Sequence, residues 1–118
     1  RDGEAEAFLR QGLRSNPDTY EMYSALGYFC YMHDRMDESI AYYEKAVLLD
    51  APNLTWHMLA HAYEHAGYIN ESLNVWLGME AVETGNVVPK MQIDRILKGE
   101  PPPDIPGFLS RAREERRM

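Results

Sequence analysis

The chain repeats itself, and this repeat constrains its fold more than any other feature. Residues 23–30 (YSALGYFC) and residues 56–63 (WHMLAHAY) align at an offset of 33 residues, and the same offset places Tyr43 on Trp76. Repeats of 20 to 50 residues are typical of solenoids, in which one unit cannot bury its apolar face alone. The sequence therefore predicts short, similar units that stack on each other.

Each unit has the periodicity of a helix pair. Tyr23, Leu26, Gly27 and Cys30 follow the i, i+3, i+4, i+7 spacing of one helix face. Gly27 costs about 1 kcal/mol of helix propensity relative to Ala, so we expect it to allow close approach of the next helix. That helix carries a matching stripe of Ile40, Tyr43, Ala46 and Val47. We predict helices near residues 3–15, 19–33, 37–49, 53–66, 69–84 and 89–98.

Polar turns separate the helices. Asp34 lies in the turn His33–Asp37, where we expect a left-handed conformation that Asp tolerates better than most residues. The corresponding turn in the next unit contains Gly67, which adopts that conformation without strain. The Pro-containing segments 16–18 and 50–53 mark helix boundaries.

This pattern of aromatic, Leu and small residues resembles the tetratricopeptide repeat, over about residues 3–83. The resemblance implies an all-α fold, a right-handed superhelical solenoid of antiparallel helix pairs. We expect five segments: the second helix of a truncated repeat (1–17), two repeats (18–51 and 52–84), a capping helix (85–99), and a Pro-rich spacer with an amphipathic tail helix (100–118).

Composition excludes several classes of protein. The formal net charge of −7 argues against nucleic-acid binding, which needs a basic face. Apolar runs are too short for membrane insertion. The single cysteine, Cys30, excludes an internal disulfide and favours a cytoplasmic setting. Because the chain begins at Arg1 rather than Met, we expect a fragment or a processed form.

Charge is unevenly distributed along the chain. Residues 1–89 hold five Lys and Arg against fourteen Asp and Glu, whereas residues 90–118 hold seven against five. The predicted tail helix, residues 104–117, carries an apolar stripe of Ile105, Phe108, Leu109 and Ala112. Three placements are open for it: on its own solenoid, in the groove of a second copy to give a homo-oligomer, or as a plug that a ligand displaces.

No motif for catalysis is present. The sequence contains no nucleophile elbow, phosphate-binding glycine loop or dinucleotide fingerprint. Cys30 falls on the packing stripe, which predicts a buried small apolar residue rather than a reactive thiol. We expect no enzymatic activity and no cofactor.

The resemblance implies that the first helix of each repeat lines a concave groove that holds a peptide or helix of a partner protein. Aromatic, Met and His side chains suit such recognition. The Lys, Arg and Asn clamp with which some members of the family grip a terminal carboxylate is absent. The implied lining residues are Glu21, Ser24, Tyr28, Tyr31, Met32, His57, Met58, His61, Glu64 and His65.

Histidines on the fourth helix give an alternative, a divalent-metal site formed by His57, His61, Glu64 and His65. Two His four residues apart can share one ion, but an i to i+8 pair spans about 12 Å, so the three cannot share one. A polar groove lining that uses His is the simpler interpretation. A third is a pH-sensitive groove, because imidazoles gain charge near pH 6.5.

Overall fold

The computed structural model describes residues 2–102. Within that range the chain forms six α-helices and no strand, in good agreement with the predicted helices. The predicted tail helix, residues 104–117, lies outside the described residues, and the five-segment division stays a prediction. The helices are α1 (Asp2–Ser15), α2 (Tyr20–Met32), α3 (Met36–Leu48), α4 (Asn53–His65), α5 (Ile69–Val82) and α6 (Val88–Leu97).

The helices stack as a solenoid. Each helix packs against the next one in the chain, and α2 also contacts α4. The first helices of the two repeats, α2 and α4, therefore lie side by side, and α3 and α5 cover them from the other side. None of the helices in residues 2–102 combines the length and the apolar character that crossing a bilayer requires.

Left-handed residues end four of the helices. Asp34 has φ +58° and Gly67 has φ +92°, as the sequence predicts for these two equivalent turns. The amide of Arg35 donates to the carbonyl of Cys30 over 2.8 Å, and the amide of Tyr68 donates to that of Tyr63 over 2.8 Å. This bond pattern satisfies helix-terminal carbonyls. The ends of α3 and α6 repeat it at Asp50 and Gly99.

Close packing inside each repeat depends on a small residue under an aromatic ring. A Cβ atom placed on Gly27 would lie 2.8 Å from Cδ1 of Tyr43, so α2 and α3 approach as closely as the sequence suggests. Ser39 adds a hydrogen bond from its Oγ to the carbonyl oxygen of Gly27, at 2.7 Å. The next repeat reproduces this bond between Ser72 and Ala60, at 2.8 Å.

The core divides into two clusters along the solenoid. One joins α2, α3 and α4 around Tyr31, Tyr43 and Leu59, and the other joins α4, α5 and α6 around Trp76 and Ile93. Cys30 is fully buried, as predicted. Since α4 contributes to both clusters, it is the element that connects the two halves of the structure.

Two glycine-to-alanine variants should have opposite effects. Gly27→Ala forces a methyl group into the Tyr43 ring, which costs about 1–3 kcal/mol of overpacking against about 1 kcal/mol gained in helix propensity, so we expect a net loss of up to about 2 kcal/mol. Gly78→Ala in α5 meets open space and should gain about 1 kcal/mol. Chemical denaturation measures both, and an unchanged midpoint for Gly27→Ala would contradict the close contact.

Candidate functional site

The ten predicted lining residues fall on α2 and α4, the two helices that lie side by side. We call this surface the groove face; it comprises Glu21, Ser24, Tyr28, Tyr31 and Met32 of α2, and His57, Met58, His61, Glu64 and His65 of α4. The two halves meet where the rings of Tyr31 and His65 pack edge to face, with centroids 5.5 Å apart. The prediction that these residues contact a partner stays a prediction.

Exposure varies widely along the groove face. Tyr28 is 53% exposed and Glu21 is also exposed. Tyr31, Met32 and Glu64 are buried, with Tyr31 and Met32 in the core cluster around α3. The remaining five residues are half-buried. Tyr28 is therefore the groove-face side chain with the most apolar surface available to a ligand.

Two histidines of α4, His57 and His61, pack against α5. The rings of His57 and His61 contact the buried Trp76, with centroid separations of 4.9 and 5.2 Å. The apolar stripe of α2, carried over at the 33-residue offset, predicts one packed face for α4, through Trp56 and Leu59. The structure has two, because α4 is flanked by α3 on one side and α5 on the other.

An acidic residue lies near each end of the series His57, His61 and His65 on α4: Glu83 near His57, and Glu64 next to His65 in the chain. Nε2 of His57 lies at hydrogen-bond distance from Oε1 of Glu83, which follows α5. Glu64 binds Arg95 of α6 through two hydrogen bonds, and the bond from Nη1 to Oε2 is 2.7 Å long. Sequence reasoning missed both Glu83 and Arg95, since no local pattern links residues 26 and 31 positions apart.

Burial changes the acid–base chemistry of His61. Desolvation is the main cause that lowers its pKa to about 4, and the nearby Arg95 guanidinium acts in the same direction. Its Nδ1 atom is buried with no hydrogen-bond partner among residues 2–102. His61 is therefore held neutral in the folded chain at neutral pH.

Further buried polar atoms lack a hydrogen-bond partner within the described part of the chain. They are Oγ of Ser24 on the groove face, the hydroxyl of Tyr43, and Nε1 of Trp76. Tyr43 and Trp76 occupy equivalent positions in the two repeats, and burial raises the pKa of the Tyr43 hydroxyl. Buried polar groups in proteins are ordinarily hydrogen-bonded. These atoms on α2, α3 and α5 could therefore each form a further hydrogen bond.

The metal hypothesis gains no support from this geometry. Among residues 2–102, no group of three or more His, Cys, Asp and Glu side chains is arranged to hold a metal ion. His57 is engaged with Glu83, and Glu64 with Arg95.

Comparison with known proteins identifies one repeat directly. A family model described as tetratricopeptide repeat matches residues 20–53, which span α2, α3 and the first residue of α4. This confirms, over residues 20–53, the resemblance seen in the sequence. No curated protein matches the chain.

Removing Arg95 should destabilise the chain strongly. Arg95→Met leaves the Glu64 carboxylate buried without its cation, which costs about 3–5 kcal/mol for a buried pair. The double variant Glu64→Met/Arg95→Met removes both charges, and we expect its stability to return close to that of the wild type. Urea unfolding distinguishes the two outcomes, and equal losses in both variants would contradict the role of the pair.

Stability should fall as the pH decreases from 6.5 to 4, because His61 binds a proton more readily in the unfolded chain. Above pH 6.5, the neutral His61 makes its full contribution to the free energy of unfolding. The pKa of Glu6, lowered to about 2 by hydrogen bonds from Arg35 and Arg10, affects stability only below about pH 4.5.

Thermal melts between pH 7 and 5 provide the measurement for His61. His61→Gln should flatten the dependence of the melting temperature on pH. His33→Gln, a control that leaves His61 in place, should retain it. An equal slope in the wild type and His61→Gln would show that another group is responsible.

Proposed function

We propose that this chain, in which residues 20–53 are a tetratricopeptide repeat, is a non-enzymatic protein–protein interaction module that binds a peptide or helix of a partner on its groove face. The repeat itself suggests protein–protein interaction. The groove face supplies the specific surface on which we expect the partner to lie.

The exposed ring of Tyr28 is the observation that carries this proposal. Tyr28 lies midway along α2 and is 53% exposed, although its neighbours Leu26 and Gly27 are buried. Tyr presents a large apolar area with a hydrogen-bonding tip and has few rotatable bonds to immobilise, so it is a preferred anchor in protein interfaces. Such a side chain on the inner helix of a repeat is well placed to contact a ligand.

Around Tyr28, the groove face combines apolar and polar contacts. Met58 is half-buried and offers adaptable apolar surface. Glu21 is exposed and lies seven residues before Tyr28 on the same helix. This mixture resembles the composition of interfaces with an apolar centre and a polar rim. It favours a ligand segment with at least one apolar side chain flanked by polar groups.

Selection of peptide ligands from a random library, followed by affinity measurement, tests the proposal. Tyr28→Ala should weaken binding of the selected peptides about 30-fold, which corresponds to an anchor worth about 2 kcal/mol. Leu77→Ala is the matched control, because Leu77 on α5 is also 53% exposed but lies off the groove face. We expect that variant to bind like the wild type.

The opposite pattern would overturn the proposal. If Leu77→Ala weakens binding and Tyr28→Ala does not, the ligand contacts the outer helices. Circular dichroism of both variants establishes that the comparison is between folded proteins.

A further inference from the structure

A cavity of about 430 Å³ lies where α3, α4 and α5 meet, and this volume is in the usual range for ligand pockets. One face of α3, the end of α4 with the turn that follows it, and the first turn of α5 contribute to it. None of its residues belongs to the groove face, so it is a separate surface. We call it the α3–α5 cavity; it is lined by Asp37, Ile40, Ala41, Glu44, Tyr63, Tyr68 and Glu71.

Two aromatic rings and an apolar stretch of α3 form part of the lining. The rings of Tyr63 and Tyr68 pack edge to face with centroids 6.4 Å apart, and Tyr68 is 46% exposed. Ile40 and Ala41 lie next to each other on the face of α3 that borders the cavity. Aromatic faces attract cations, and apolar surface can cover the methylene stem of a long basic side chain.

The exposed part of the lining is negatively charged. Asp37, Glu44 and Glu71 are exposed, and no Lys, Arg or His lines the cavity. Within residues 2–102, none of the three carboxylates forms an ion pair. The hydroxyl of Tyr63 donates to Oε2 of Glu44 at 2.6 Å. Desolvation, this bond and the charges of Glu44 and Glu71 raise the pKa of that hydroxyl, so both carboxylates act on the aromatic part of the cavity.

At the preceding junction, where α1, α2 and α3 meet, the chain supplies its own cation. Arg35 is the residue that the 33-residue offset aligns with Tyr68, and the same offset aligns Glu38 with Glu71. The Arg35 guanidinium donates to both carboxylate oxygens of Glu6 on α1, over 2.9 and 2.8 Å, and it also binds Glu38. The next junction keeps acidic residues on both sides, but it has Tyr68 in place of the arginine and contains the cavity.

We propose that the α3–α5 cavity binds an arginine side chain of a partner protein, in the way that Arg35 fills the junction before it. The guanidinium lies against the rings of Tyr63 and Tyr68 and pairs with Glu71, and its methylene stem lies on the apolar stretch of α3. Arginine suits this site better than lysine, because its planar guanidinium stacks on aromatic rings and pairs with a carboxylate through two hydrogen bonds. This is a second binding site, and it does not depend on the groove face.

Titration of the full chain with the peptide acetyl-Gly-Arg-Gly-amide tests the site. At low ionic strength, where exposed charges are least screened, the ¹⁵N amide signals of Ala41, Tyr68 and Glu71 should shift until they reach saturation. The signal of Asn86, in a second acidic cavity that already contains Lys90, should not. Absence of a saturable shift at the first three residues would overturn the proposal.

Two further peptides identify the group that is recognised. Citrulline in place of arginine keeps the shape of the side chain and removes its charge, so this peptide should cause no saturable shift. Lysine keeps the charge without the planar fork, so that peptide should bind more weakly than the arginine peptide. Binding of the citrulline or lysine peptide as tight as that of the arginine peptide would overturn the assignment to arginine.

Variants of the cavity give a second test. Tyr68→Arg supplies the side chain that the preceding junction has, so it should fill the cavity from within and abolish binding of the arginine peptide. Glu71→Gln should weaken binding about 5-fold, the upper value for an exposed ion pair. Glu80→Gln is the matched control, because Glu80 is also exposed on α5 but does not line the cavity. Unchanged binding in the first two variants, or an equal loss in the control, would contradict the site.

Tyr28→Ala separates this site from the groove face. The variant removes the ring on which the proposed function depends, and it should bind the arginine peptide like the wild type. Loss of binding in Tyr28→Ala would overturn the separate cavity and would indicate that the peptide lies on the groove face. Failure of the arginine peptide to bind would leave the proposed function intact, since that function is tested with independently selected peptides.

Discussion

The contact between a small residue and an aromatic ring determines how the helices of this protein are spaced. Gly27 lies under Tyr43 with no room for a methyl group, and Ala60 shares a core cluster with Trp76. In both repeats a serine of the second helix donates to the carbonyl of the small residue. Because this bond uses a carbonyl of the first helix, it fixes the register of the pair as well as its separation.

This spacing in turn determines what the groove face can offer. Since α4 is packed by α3 on one side and by α5 on the other, His57 and His61 pack against Trp76 and are half-buried. On α2, the same packing buries the ring of Tyr31 and leaves that of Tyr28 exposed on the groove face. Core packing and ligand binding are thus linked through the same two helices.

Local features of the structure could be predicted from the sequence, whereas the long-range pairs could not. Helix positions follow from the apolar period, and the left-handed Asp34 follows from its equivalence with Gly67. The pairs Glu64–Arg95 and His57–Glu83 join residues 31 and 26 positions apart. Their partners depend on how successive helices cross, and helical periodicity within one element carries no such information. Tyr31, which the resemblance implies as a lining residue, is buried in the core cluster of α2, α3 and α4.

The buried pair of Glu64 and Arg95 also makes the two repeats unequal as building blocks. In the first repeat, the position equivalent to Glu64 is occupied by Tyr31, which needs no cation from the following helix. The helix that follows the first repeat, α4, meets Tyr31 with the ring of His65, edge to face with centroids 5.5 Å apart. The second repeat, by contrast, buries a carboxylate that is paired with a cation of α6, the helix that follows it. The two units are consequently not interchangeable, because moving the second one away from α6 would leave a buried carboxylate without its cation.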